Sequence, residues 1–120
     1  MKDIKISSST SCHLWNKPDL SSEDLIQDLV IEEIYTDDSH LMRKLLKCKE
    51  CGQLYFYEFY EEIDWQEGND PQYRTWIPVE DAESARALNN LSVFGILEFP
   101  SIRSDWPSSQ DTPKIYHARG

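Results

Sequence analysis

The sequence predicts an α+β fold: a small antiparallel sheet of three to four strands, two short helices and a tight hairpin turn that contains cysteines. Three observations predict it. Residues 53–65, Gln-Leu-Tyr-Phe-Tyr-Glu-Phe-Tyr-Glu-Glu-Ile-Asp-Trp, are dense in strand formers. Ser21 and Asp81 each stand just ahead of apolar residues at helical spacing, where an N-cap belongs. Between two strand-like runs lies Cys48-Lys-Glu-Cys51-Gly52, which suits a turn. The 120 residues suit one domain over 1–120, and 39% hydrophobic content suffices for one modest core. Aromatic residues make up 12%, too many for a disordered chain.

Taken in order, residues 1–19 read as irregular, with a polar stretch from Ser7 to Ser11 and a proline at 18 that bars an early helix. Ser21 and Asp24 fit a capping box, Leu20 and Leu25 a hydrophobic staple, and Leu25, Ile26, Leu29 and Val30 one helical face. Ile31 to Thr36 has strand composition, and Asp37-Asp38-Ser39 reads as a turn. Residues 40–48 and 53–65 form two strands of an antiparallel hairpin. Along the second, Tyr55, Tyr57, Phe59, Ile63 and Trp65 share one face, and Leu54, Phe56, Glu58, Tyr60 and Glu62 the other. Gln66–Gln72 is a loop. Tyr73–Val79 is a further strand, marked by Pro78 as an edge or an end. Asp81 caps a second helix with Ala82, Ala85, Leu88 and Leu91 on one face; Ser92–Phe99 is a short strand or a buried turn. Residues 100–120, with Pro107, Pro113 and several serines, read as a loop-rich tail.

The formal net charge is −10 and the sequence pI about 4.6. Such a surface repels nucleic acid and anionic membranes, so neither is expected as a partner; it attracts a basic protein. The N-terminus lacks an apolar run long enough for a signal peptide and the chain lacks a membrane span, so a cytoplasmic protein is expected. Three cysteines, two of them in a Cys-x-x-Cys pair, favour metal binding or redox chemistry over structural disulfides in a reducing compartment.

Cys-x-x-Cys-Gly is the shape of a zinc knuckle. Two thiolates at this spacing can face one side of a tight turn, and Gly52 permits the backbone conformation needed after the second ligand. Cys12 is the natural third ligand. Of the three histidines, His40 is the least favoured fourth ligand, because eight residues of straight strand would place it roughly 26 Å from Cys48. His13 and His117 both remain as fourth ligand, with His13 preferred because it adjoins Cys12. The expected site is Cys12, His13, Cys48 and Cys51, holding one structural zinc that fixes the hairpin and pins the N-terminal segment to it.

From Glu58 to Asp70 the chain carries six acids and no Lys or Arg, interleaved with Tyr57, Tyr60 and Trp65. Cross-strand pairing with Arg43, Lys44 and Lys47 would neutralise part of this cluster. The remainder suits a surface for a basic protein, in which rings supply contact area and carboxylates supply steering. The candidate partner-binding residues are Glu58, Tyr60, Glu61, Glu62, Asp64, Trp65, Glu67 and Asp70. The acids lie along one strand with no recognisable nucleophile beside them, the four glycines are scattered, and no His-Glu-x-x-His occurs, so no enzyme is expected.

The stretch Cys48 to Trp65, followed by Asn69-Asp-Pro-Gln-Tyr-Arg-Thr-Trp-Ile-Pro-Val, resembles small bacterial proteins, among them immunity proteins of polymorphic and contact-dependent growth-inhibition toxin systems. The resemblance implies a cytosolic protein that binds and blocks one cognate toxin, many of which are basic nucleases. The alternatives are a zinc-ribbon-like adaptor in a larger assembly and a metal-dependent or redox enzyme.

Overall fold

A computed structural model of the chain describes residues 4–7, 12–17, 20–62, 71–106 and 114–118. The cysteine turn joins β2 (Leu41–Cys48) to β3 (Leu54–Glu61), the hairpin expected from the strand-forming runs on either side of it. β1 (Leu29–Asp37) precedes them and β4 (Gln72–Val79) follows. Two more strands, β5 (Ser101–Trp106) and β6 (Lys114–Ala118), complete a six-stranded antiparallel sheet in sequence order. The fold is therefore mostly sheet, not the expected α+β arrangement of three to four strands.

Nearest-neighbour pairing makes this a meander, with one longer excursion. Between β4 and β5 the chain runs through α3 (Ala82–Leu88) and a 3-10 turn (Gly95–Glu98) on one face. On the opposite face lie α1 (His13–Asn16) and α2 (Ser22–Gln27). One buried cluster joins Cys12, Leu14, Leu25, Cys48, Tyr55 and Trp76 beneath α1 and α2; the other joins Leu45, Phe56, Ile77, Ala85, Leu88 and Ile96 beneath α3. The central strands are apolar on both sides where these elements cover them. In β3, Tyr55 and Tyr57 point one way and Leu54 and Phe56 the other, as the alternation predicts.

Local signals set the helix starts. The Ser21 hydroxyl accepts from the Asp24 N–H while the Asp24 carboxylate accepts from the Ser21 N–H, closing the capping box. The Asp81 carboxylate accepts from the Ser84 N–H at the start of α3.

Four expectations need correction. The helical face extended to Leu29 and Val30 ends at Gln27, because the β-branched run after it enters β1; Ile26 is left 74% exposed. The tail holds β5 and β6. β4 is not an edge strand, since β5 pairs with Gln72–Trp76; Pro78 marks its end, past that ladder, where the Ser7 N–H reaches its carbonyl. The N-terminal segment is less irregular than read, since Ile6 bridges Val79 and residues 13–16 turn once as a helix ahead of Pro18. Among the described residues no helix is long and apolar enough to cross a membrane.

Candidate metal centre

Cys48 ends β2 and Cys51 sits in the turn after it. The Gly52 N–H donates to the Cys48 carbonyl, the Cys48 N–H donates to the Gln53 carbonyl, and Gly52 adopts φ +80°. That left-handed conformation strains any residue with a Cβ, so glycine is what lets the chain fold back under the two thiols. Cys12 reaches them from α1, where its carbonyl accepts from the Trp15 and Asn16 N–H groups. Leu14 and Leu25 bury the segment against Tyr55 and Trp76, which carries Cys12 onto the sheet.

The three sulfurs lie within 4.8 Å of one another, all three as free thiols, with Cys12 and Cys48 buried and Cys51 exposed. This spacing is close enough to hold a metal ion. The thiols differ in acidity. Burial pushes Cys12 up to about 11, with a partial offset from the neighbouring Tyr55 hydroxyl. At Cys51 burial acts in the same direction, but hydrogen bonds from the Gln53 backbone and from Cys12 and Cys48 outweigh it and hold the thiol below its usual value. The exposed Cys51 is thus more acidic than the buried Cys12.

His13 stands beside this cluster without joining its mutual spacing. Its Nδ1 lies 3.8 Å from the Cys48 Sγ and 3.1 Å from a Glu50 carboxylate oxygen, and its Nε2 is 2.9 Å from Asp28 Oδ2. The Asp28 contact raises the His13 pKa; burial opposes this, and the charges of Glu50 and Cys48 add to it. Asp28 also ends α2 and accepts the Lys49 N–H through its carbonyl, tying the turn to the helix. The second candidate, His117, instead packs edge-on against Trp15 at 5.3 Å. His40 pairs with Glu61 at the far end of the hairpin, 2.9 Å away.

Sequence reasoning missed Asp28 and Tyr55. Tyr55 shares the face of Cys48 across the hairpin, which strand alternation could have shown, and its buried hydroxyl lies beside Cys12, raising its pKa through burial and then through that thiol. Nothing in the spacing of Asp28 announces its contact with His13.

The acidic-aromatic region divides. Glu58 is not a surface carboxylate: it is 4% exposed and takes two contacts from the Arg43 guanidinium, at 2.9 and 2.8 Å. A third Arg43 bond, 2.8 Å to the Asn89 carbonyl, ties this pair to the end of α3. Glu61 is held by His40 and Gln72. Tyr60 stacks on Tyr73 with centroids 6.3 Å apart, and Glu62 is exposed. With Phe94, Asp105 and Tyr116 these rings border a depression of about 320 Å³. Burial, then the charges of Glu62 and Asp105, raise the Tyr73 pKa; Arg103 lines the same hollow, its guanidinium donating to the Ser101 hydroxyl and the Leu97 carbonyl. Asp64, Trp65, Glu67 and Asp70 lie outside the described residues.

No protein-family model, curated protein or solved structure matches this chain.

Proposed function

We propose that this is a binding protein braced by one structural zinc ion, and that it captures a basic protein, as an immunity protein captures its toxin. The observation that carries the brace is the convergence of Cys12, Cys48 and Cys51 from two distant segments. Zinc suits three thiolates and one imidazole in a tetrahedron, and a closed site of that kind is structural. His13 is the fourth ligand in this reading. In a tetrahedral site with ordinary zinc bond lengths, a ligating nitrogen and sulfur stand about 3.6 Å apart, close to the 3.8 Å between His13 Nδ1 and Cys48 Sγ. Asp28 on the other ring nitrogen supplies the carboxylate that commonly orients a zinc-bound histidine. A metal at Nδ1 would displace the exposed Glu50 carboxylate, which now lies 3.1 Å from that nitrogen.

Support for the basic partner is the charge of −10 together with the hollow bordered by Tyr60, Glu62, Tyr73 and Asp105. Carboxylates beside tyrosines on a rigid sheet steer a cationic surface in and give it aromatic area to pack on. Glu58, buried and paired with Arg43, forms part of the floor of this hollow. The experiment is co-expression with a toxin domain encoded beside the gene: co-purification and protection of the host are expected, with Glu62→Lys and Asp105→Lys weakening both. A neighbouring toxin that neither binds nor is neutralised contradicts the reading.

A further inference from the structure

The helices α1 and α2 cover only half of their face of the sheet. Beyond them opens a second cavity of about 360 Å³, walled by Leu25 and Ile26 of α2, Leu29 and Ile31 of β1, Leu46 of β2 and the rings of Tyr57 and Trp76. Its size and mostly apolar lining are those of a small-molecule site. Two cations stand in it, Lys44 and Arg74. The chain has 22 acidic residues against 12 basic ones, yet among the described residues no carboxylate pairs with either cation. Arg74 instead lies over the Phe59 ring, 4.9 Å from its centroid, and interacts with Tyr57.

We propose that this cavity binds a small amphipathic carboxylate, its hydrocarbon end between α2 and the sheet and its carboxylate between Lys44 and Arg74. The register supports this placement. Lys44 lies opposite Tyr57 and Arg74 opposite Phe59, so the two cations flank β3 from β2 and β4. Their backbones are about 12 Å apart, two strand spacings across and two residues along, which two long side chains can close on one carboxylate. Arginine and lysine both donate to carboxylates, arginine in a planar fork. Leu25, Leu29, Leu46 and Trp76 form the apolar end, where a hydrocarbon chain leaves water. The exposed Ile26 and Ile31 stand at the mouth, 74% and 55% accessible. The site lies on the face opposite the acidic hollow and is independent of the basic partner.

Octanoate is the probe, octan-1-ol the uncharged control and butyrate the short control, each titrated into the full-length protein as purified. The readout is the NMR shift of the Trp76 indole, assigned with Trp76→Phe. Saturable shifts in the millimolar range are expected with octanoate. Lys44→Gln and Arg74→Gln should each weaken octanoate tenfold or more while leaving octan-1-ol unchanged. Butyrate should bind at least tenfold more weakly. Ile26→Glu, at an exposed position that the fold does not need, should repel the carboxylate at the mouth and weaken octanoate similarly. The absence of a saturable shift, or octanoate binding equally tightly to the Lys44→Gln/Arg74→Gln double variant, overturns the proposal.

Discussion

At Gly52 a Cβ would meet its nearest neighbour, Lys47 Cε, at 3.8 Å, an ordinary contact, so the demand for glycine is conformational and not steric. Gly52→Ala should cost about 1–2 kcal/mol through its positive φ and loosen the thiol turn, measurable as a lower denaturation midpoint and weaker metal retention. The Arg43–Glu58 pair tests a different balance. Burial raises the Glu58 pKa and Arg43 only partly offsets it. Removing one partner strands a buried charge or donor set, so Arg43→Met should destabilise by about 3–5 kcal/mol. The double variant Arg43→Met/Glu58→Leu should recover most of that loss, read by chemical denaturation of all three proteins. The thiol pair was legible in the sequence because two residues of spacing and a glycine fix it locally. The place of His13 was open there because its partner, Asp28, comes from the end of a helix whose position depends on the fold.

Single elements show the same division. α2 was legible at its start because the capping box is written in four consecutive residues, Ser21 to Asp24. Ser21→Ala should therefore cost about 1 kcal/mol, seen in the denaturation midpoint. Asp24 adds a pH dependence. The Lys17 ammonium, with the Ser21 N–H and hydroxyl, holds its carboxyl at about 2, below the ordinary 3.8. A depressed carboxylate gives stability that is full above pH 3.8 and is lost as pH falls toward 2. Acid unfolding should accordingly be shallower across this window in Asp24→Asn than in the wild type. The end of α2 was misread because helical spacing continued through Leu29 and Val30, and pairing of those residues with Cys48 and Lys47 overrode it. β5 and β6 were missed for a related reason. Ser101-Ile-Arg-Ser-Asp-Trp carries one aliphatic residue, and its strand character comes from pairing with β4 across α3 and the 3-10 turn.

Across the whole molecule, the six-stranded sheet has each face half covered, which leaves one acidic and one apolar hollow on opposite sides. The cysteine centre sits at one end of the covered half beneath α1. It joins a segment whose helix is a single turn to the central hairpin. So short a helix has little stability of its own, and its position depends on what fastens it. Metal removal should release α1 and weaken the core shared by Cys12, Leu14 and Tyr55, because binding free energy at such a site is also folding free energy. The most direct measurement is metal content together with thermal stability for the wild type and for Cys12→Ser, before and after chelation. About one zinc per wild-type chain is expected, lost or markedly weakened in Cys12→Ser, with chelation lowering the wild-type melting temperature toward that of the variant. A wild-type protein that purifies without metal, gains none from added zinc and melts at the same temperature with chelator would contradict it.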